Sequence, residues 1–231
     1  MRGSKVNYLV VVAHPDDEVL GAGATIYKLA KEGNTVNVCI LSGDVNARTN
    51  RPGLNELNNN INSSLNFLGV EKVIKGNFPN IEFNTVPHLH LVQFIEKVIS
   101  DTFANVIFTH HPADLNNDHF HTSLACQAAV RLFQRRKEIT PIKEFLFMEI
   151  LSSTDWSLNK TIQPFSPNTF VEIEEEGISK KIEALSLYEG VMRKYPHPRS
   201  CEALKALAIF RGAQAGMVYA EAFESVFRRG F

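Results

Sequence analysis

The 231-residue chain lacks the features that mark several large classes of protein. It has no basic surplus, with 24 Lys and Arg against 25 Asp and Glu, whereas dedicated nucleic-acid binders usually carry one. No uncharged apolar run approaches the roughly 20 residues that a membrane span needs. The first residues are polar and lead directly into a strand, which is not typical of a secretory signal. We therefore expect a cytoplasmic protein with no nucleic-acid partner and no membrane span.

Cysteine is also scarce, with Cys39, Cys126 and Cys201 lying far apart. Two of the three fall in apolar stretches, which favours reduced thiols in a core, and none has the close spacing of a zinc knuckle. A Gly-x-Gly-x-x-Gly loop is missing after the first predicted strand, because Gly21 and Gly23 fall inside a predicted helix. Its absence argues against a dinucleotide-binding protein.

Hydrophobic residues make up 44% of the chain and charged residues 21%, as in globular proteins. Strand-like segments alternate with helix-like segments, and this alternation predicts one α/β domain over residues 1–231. We expect a Rossmann-like, doubly wound, mostly parallel sheet with helices on both faces. The predicted strands are Tyr8–Ala13, Thr35–Leu41, Lys72–Lys75, Asn105–Thr109, Glu144–Ile150 and Thr169–Ile173. The predicted helices are Val19–Lys31, Leu54–Leu68, Pro87–Ser100, one from the end of the loop His110–Asp118 through Phe133, Ile178–Tyr188 and Cys201–Ala213, while Gly216–Arg228 is predicted as a helix or a helix-strand mixture.

Two of the predicted strands are followed by polar segments that are rich in possible metal ligands. The segment 14–18 (HPDDE) follows the first strand, and the segment 110–119 (HHPADLNNDH) follows the strand at 105–109. Functional sites in doubly wound sheets lie at the carboxyl ends of the strands, where the strand order reverses. In a typical Rossmann order these two strands are neighbours, so we expect the two segments to face each other.

A catalytic zinc ion usually takes three protein ligands and leaves one position for water. His14 and Asp17 can reach one point around a turn, and His119 from the second segment completes a His-Asp-His set. Asp16 beside them can act as the general base that takes a proton from water. A plainer interpretation stays open, because acidic residues before an apolar helix often cap it, and Asp118 could cap the next helix. Two such segments at two strand ends favour the metal site.

At these residues the chain resembles the PIG-L/LmbE family of zinc-dependent N-acetylglucosaminyl deacetylases. The segment 13–18 (AHPDDE) is similar to the family's first signature. The segment 114–119 (DLNNDH) is similar to its second, in the variant that reads Asp-Leu-Asn-x-Asp-His. The resemblance covers nearly the whole chain, including the stretches SSTDW at 152–156, PHPRS at 196–200 and YAEAFE at 219–224.

The resemblance implies an LmbE-like fold, Zn²⁺ as cofactor, His14, Asp17 and His119 as its ligands, and Asp16 as the general base. It also implies an arginine in the loop after the second strand that meets the substrate or the developing oxyanion. Arg48 is the best candidate for that arginine, and Arg51 is the second.

One departure from the family concerns the group that protonates the leaving amine. Many members have a histidine where this chain has Asn116, and an amide cannot deliver a proton at neutral pH. Asp16 could return its proton to the amine, and His197 in the late Pro-rich loop is the other candidate. We expect Asp118 to orient a neighbouring group. His110, His111 and His121 are weaker candidates for any role.

The predicted function is removal of an N-acetyl group from a small-molecule N-acetylated sugar or sugar conjugate, which releases acetate and a free amine. Two alternatives remain: a non-hydrolytic Rossmann-like protein that binds a sugar or nucleotide, and an amidase that uses the same site on a larger acyl or thiol conjugate. Trp156 could stack on a sugar ring or belong to the core. A homo-oligomer is possible.

Overall fold

The alternating segments form a seven-stranded sheet in the structure, a computed structural model that describes residues 5–43, 52–158 and 163–230. The order of the strands across this sheet fixes which loops can meet. The strands are, in chain order, β1 (Asn7–Val12), β2 (Thr35–Ile40), β3 (Lys72–Lys75), β4 (Val106–His110), β5 (Glu144–Met148), β6 (Thr169–Glu172) and β7 (Ala220–Arg228).

The order across the sheet is β3-β2-β1-β4-β5-β7-β6. The strands β3, β2, β1, β4 and β5 pair in parallel, whereas β7 is antiparallel to both of its neighbours. The chain leaves β1 for β2 on one side and returns to β4 on the other side. The strand order therefore reverses between β1 and β4, and the predicted Rossmann-like, mostly parallel sheet is confirmed.

The prediction of a helix or helix-strand mixture over Gly216–Arg228 is wrong. Gly216 has φ 72° and ends the preceding helix, and β7 then runs to Arg228 between β5 and β6. Alanine and glutamate favour helices locally, but pairing on both edges of β7 and burial of its first half outweigh that preference.

Helices cover both faces of the sheet, because successive buried side chains of β1 pack into two different cores. Leu9 and Val11 join one apolar core with residues of three helices, while Val10 and Val12 join a second core with residues of four others. Among the described residues, no helix is both long and apolar enough to cross a lipid bilayer. The helices are α1 (Asp17–Lys31), α2 (Leu54–Phe67), α3 (His88–Thr102), α4 (Asn117–Ala129), α5 (Leu132–Arg135), α6 (Glu174–Ser186) and α7 (Cys201–Ala215), with a short 3-10 turn at Phe83–Thr85.

A kink in α1 is held by a buried ion pair from two other elements. Ala22 has non-helical dihedral angles, φ −142° and ψ 17°, which interrupt the backbone hydrogen bonds of the helix. Lys181 Nζ donates to the carbonyl oxygen of Leu20 at 2.7 Å and to Glu221 Oε1 at 2.7 Å. Glu221 Oε2 accepts from Thr25 N at 2.7 Å. The groups released by the kink are thus satisfied from α6 and β7.

Candidate metal centre

The two polar segments meet where the strand order reverses. Because β1 and β4 are parallel neighbours, His14 after β1 and His110 at the end of β4 leave the same edge of the sheet. Asp17 lies in the first turn of α1 and His119 in the first turn of α4. The expectation that these segments face each other is confirmed.

Asp17 Oδ2 lies at the centre of a buried cluster of imidazole rings. It is 3.1 Å from His119 Nε2, 3.4 Å from His14 Nδ1 and 3.6 Å from His110 Nε2. It also accepts a hydrogen bond from the backbone N–H of His14 at 3.0 Å. One ligand atom from each of His14, Asp17 and His119 lies within 4.8 Å of the other two, so these side chains could hold one metal ion.

The chemistry of this set fits a divalent cation. The atom His119 Nε2 is buried and makes no well-formed hydrogen bond, because its near neighbour Asp17 Oδ2 at 3.1 Å also faces His14 and His110. A metal ion would relieve this costly state. Two imidazoles and one carboxylate are also the kind of set that zinc takes in catalytic sites. Burial acts to raise the pKa of Asp17, but the charge of His119 outweighs it and holds that pKa well below its usual range. Asp17 is therefore in the ionised form that binds metals.

A proton on His119 competes with a metal ion at the same place. Burial acts to lower the pKa of His119, but the carboxylates of Asp17 and Asp114 outweigh burial and raise it to about 10. The negative charge around this ring therefore attracts a cation strongly. A metal ion that bound Nε2 would displace that proton.

Each of the two histidines has a second carboxylate on its other ring nitrogen. On the side of His14, Asp118 Oδ2 lies 2.9 Å from Nε2, which leaves Nδ1 facing Asp17. Asp118 is itself held by the backbone N–H groups of Ile81 at 2.6 Å and Phe83 at 2.9 Å. A carboxylate in this position fixes the orientation of a metal-binding imidazole.

Asp114 holds the same position for His119, with Oδ1 3.1 Å from Nδ1. Its two carboxylate oxygens accept hydrogen bonds from Ser153 Oγ, from Thr154 Oγ1 at 2.7 Å and from the backbone N–H of Asn116 at 2.8 Å. Residues of the loop after β5 thus fasten Asp114 in place.

A second group of possible ligands consists of His110, Asp114 and His119. The geometry of this group does not favour joint coordination of one metal ion. The rings of His110 and His119 stack at a centroid distance of 3.8 Å with 12° between their planes. Nitrogen lone pairs lie in the ring plane, so two stacked rings cannot both direct them at one ion. His110 Nε2 also accepts from Ala13 N at 2.9 Å, and burial lowers the pKa of His110 to about 3, so the ring is neutral.

Asp16 occupies the N-cap position of α1 with φ 94°, and its side chain makes no capping hydrogen bond. The carboxylate is 1% exposed, and its Oδ2 lies 3.5 Å from Arg199 NH1. The backbone N–H of Asp16 donates to Glu18 Oε2 at 3.1 Å, and Tyr188 OH donates to Glu18 Oε1 at 2.5 Å. Burial raises the pKa of Glu18 to about 8. The capping interpretation of the acidic run therefore has no support at Asp16.

The cap of α4 is Asn116, whose side chain accepts from the backbone N–H of Asp118 at 2.9 Å. The side chain of Asp118 faces His14 instead of capping the helix. The residue that departs from the common family pattern therefore has a structural task in this chain.

The remaining candidates contact the loop of Arg199 or lie outside the described residues. His197 Nδ1 accepts from the backbone N–H of Arg199 at 3.0 Å, and its ring contacts Trp156 edge-on at 6.1 Å. Trp156 is 47% exposed, so it is not a core aromatic. Arg48 and Arg51 lie outside the residues that the structure describes.

Sequence reasoning gave no role to Arg199 or Asp114 and ranked His110 low, yet all three border the cluster. Arg199 was visible only as part of the stretch PHPRS, and Asp114 as the first residue of DLNNDH. Neither stretch indicates which side chain its charged residue contacts in the folded protein. The contacts depend on how three loops come together at the edge of the sheet.

Fold and site together define a Rossmann-like α/β protein with a buried His/Asp cluster able to hold a metal ion. The family described as PIG-L, GlcNAc-PI de-N-acetylase, matches residues 9–130. That stretch is more than half of the 231-residue chain and contains the whole cluster, and the chain belongs to the PIG-L family.

Similar proteins agree with this membership. YaiS of Escherichia coli (strain K12), described as an uncharacterized deacetylase, is 26% identical over 190 residues, which cover 79% of this chain and 90% of YaiS. The structure of the conserved protein TT1542 from Thermus thermophilus has a TM-score of 0.77 at 25% identity and covers 98% of this chain and 97% of its own. The N,N'-diacetylchitobiose deacetylase from Pyrococcus horikoshii has a TM-score of 0.75 at 18% identity, over 95% of this chain and 84% of its own. The LmbE-like fold is confirmed, and the family and its relative support a deacetylase.

Proposed function

We propose that the protein is a zinc-dependent hydrolase that removes the N-acetyl group from an N-acetylated sugar or sugar conjugate. The observation that carries this proposal is the buried set His14, Asp17 and His119, whose ligand atoms lie within 4.8 Å of one another, with Asp16 next to Asp17 in the chain. The family description and the deacetylases among the similar proteins support the reaction. The chitobiose deacetylase supports a sugar as the substrate.

In this proposal, His14 through Nδ1, Asp17 and His119 through Nε2 hold the zinc ion. When bound, zinc supplies a Lewis acid for the acetyl carbonyl and lowers the pKa of a water molecule toward ~7. Asp118 orients His14 through its Nε2, and Asp114 orients His119 through its Nδ1. These second carboxylates also raise the basicity of the imidazoles as ligands.

Asp16 acts as the general base that takes a proton from the attacking water. It then returns this proton to the nitrogen of the leaving amine, so that the C–N bond breaks and acetate and a free amine are released. Asn116 cannot supply the proton, because it is an amide whose oxygen already caps α4. His197 is the alternative acid, and Arg48 is our candidate for stabilising the oxyanion.

The Asp16→Asn variant tests this division of roles. We expect it to bind zinc as the wild type does and to lose about 10²–10⁴-fold in turnover, measured as acetate release. Asp101→Asn, which makes the same change on the exposed surface of α3, is the matched control and should have wild-type turnover. An Asp16→Asn protein with full activity contradicts the assignment of the base.

A panel of N-acetyl sugars and their conjugates separates the proposed enzyme from its alternatives. Acetate release from at least one sugar substrate supports the proposal. Binding of sugars without any acetate release, in protein that contains zinc, indicates a binding protein instead. Turnover confined to conjugates with a larger acyl group indicates an amidase that uses the same site.

A further inference from the structure

We propose that Arg199 and Ser152 are positioning residues for the general base: Ser152 anchors the guanidinium of Arg199, and Arg199 orients the carboxylate of Asp16. The inference rests on the proposed function, since it takes Asp16 as the base. It assigns a task to a conspicuous charged residue of the late Pro-rich loop that the reaction as described does not use.

The contacts form one continuous link from a hydroxyl to the base. Arg199 Nε donates to Ser152 Oγ at 2.7 Å, and Arg199 NH1 lies 3.5 Å from Asp16 Oδ2. The guanidinium is planar and rigid, so a hydrogen bond that fixes Nε also fixes the direction in which NH1 points. The side chain of Arg199 is 24% exposed while that of Asp16 is 1% exposed, so the ion pair lies at the boundary between the buried cluster and solvent.

Hydrogen bonds hold the backbone of Arg199 in place. Its N–H donates to His197 Nδ1 at 3.0 Å, and its carbonyl oxygen accepts from Arg193 N at 3.1 Å. The next residue, Ser200, caps α7 by accepting from Ala203 N at 3.1 Å. The backbone of Arg199 is therefore fixed just before the start of α7, and its side chain extends toward Asp16.

Ser152 is also held in an uncommon conformation. Its φ of 71° lies in the left-handed region, where residues other than glycine are rare, and its side chain meets Arg199. Ser153 and Thr154, the next two residues, donate to Asp114, the carboxylate behind His119. The loop after β5 therefore contacts both sides of the site. Ser153 and Thr154 bind Asp114, and Ser152 binds Arg199.

This arrangement predicts how the loss of Arg199 will appear in kinetics. A misdirected base slows the proton transfer but leaves the metal ligands and substrate contacts in place, so kcat falls while KM stays. An arginine that bound the substrate itself would raise KM. A merely structural arginine would change thermal stability and zinc content together with activity.

The test compares Arg199→Gln, Arg199→Lys and Ser152→Ala with the control Arg193→Gln, which removes one exposed positive charge from the same loop. For Arg199→Gln we expect a 10- to 100-fold loss in kcat with KM and zinc stoichiometry within about twofold of wild type. Arg199→Lys should lose less, because it keeps the charge but not the fork. Ser152→Ala should lose about threefold to tenfold, and the control should match wild type.

Two double variants show whether the effect passes through the base. In the Asp16→Asn background, Arg199→Gln should cause no further loss of the residual activity, and Ser152→Ala should add little to Arg199→Gln. Additive losses, a raised KM, or unchanged kcat in Arg199→Gln overturn the inference, and Arg199→Lys with Ser152→Ala keeps the test open if Arg199→Gln does not fold. An inactive wild type, or an Asp16→Asn protein with full activity, overturns the proposed function instead.

Discussion

Two buried clusters of charged side chains contact α1, one at its first turn and one at its kink, and they differ in how completely their atoms are paired. In the cluster around the kink, Lys181 and Glu221 bind each other at 2.7 Å and also satisfy backbone groups that the kink releases. In the cluster at the strand ends, Asp17 Oδ2 is shared among several imidazoles, and His119 Nε2, which lies 3.1 Å from it, makes no well-formed hydrogen bond. The charged groups of the first cluster pair with one another and with the backbone, whereas the second keeps a ring nitrogen without a well-formed hydrogen bond.

The comparison teaches where to expect function among buried polar groups. A fully paired cluster contributes to the fold, and breaking it leaves an uncompensated charge. An incompletely paired cluster costs stability, and it is retained where a ligand supplies the missing partner. We therefore expect substitutions in the two clusters to separate into effects on metal binding and effects on folding.

The largest effect is expected for Asp17→Asn, which replaces the carboxylate shared by the imidazoles of the metal centre with a neutral amide. Loss of this ligand should abolish stoichiometric zinc binding and lower turnover by at least ~10³-fold, because the ion supplies both the Lewis acid and the activated water. Zinc content and acetate release measure this, with circular dichroism as the control for folding. Full zinc occupancy in this variant contradicts the ligand assignment.

The next largest effect is expected for Glu221→Gln, which leaves Lys181 buried without its counter-charge. We expect a loss of about 3–5 kcal/mol in the free energy of unfolding, measured by denaturant titration, with zinc stoichiometry unchanged. The double variant Lys181→Met with Glu221→Leu should recover most of that loss. Unchanged stability, or loss of zinc in the folded variant, contradicts the distinction between the clusters.

A smaller effect is expected for Asp114→Asn, which keeps the shape of the group behind His119 but removes its charge. Zinc affinity should fall about 10- to 100-fold, as is common for partners of metal-binding histidines. Competition with a chelator of known affinity measures the change. Zinc affinity equal to that of the wild type would show that Asp114 does not act on His119.

The smallest effect is expected for Ser153→Ala, which removes one hydroxyl from Asp114. One hydrogen bond contributes about 1 kcal/mol, so zinc affinity should fall by roughly fivefold. In the Asp114→Asn background the same change should have less effect, because its partner is already altered. Equal losses in both backgrounds would show that Ser153 acts by another route.

Much of the fold was predictable because local pattern and neighbouring strands agree. The segment of β1 was predicted as a strand, and the Rossmann order predicted β4 as its neighbour. β7 was not predictable, because alanine and glutamate favour a helix locally and only pairing with β5 and β6 reverses that preference. A single sequence contains no direct record of such pairing.

The candidate metal site was predictable to the extent that its residues lie in short motifs at strand ends. His14, Asp17 and His119 could be chosen because strand order brings the two motifs together. The contacts of Asp114 with Ser153 and of Arg199 with Asp16 join residues 39 and 183 positions apart. No local pattern relates residues at such separations, so these roles required the folded chain.

The most direct test of the account is an anomalous-difference electron-density map, recorded at the zinc edge from crystals of the zinc-loaded protein. The account predicts one strong peak in the cluster at about 2.0–2.2 Å from His14 Nδ1, Asp17 Oδ2 and His119 Nε2. A peak between His110 and Asp114, or no peak near Asp17 in protein that contains zinc, would contradict it.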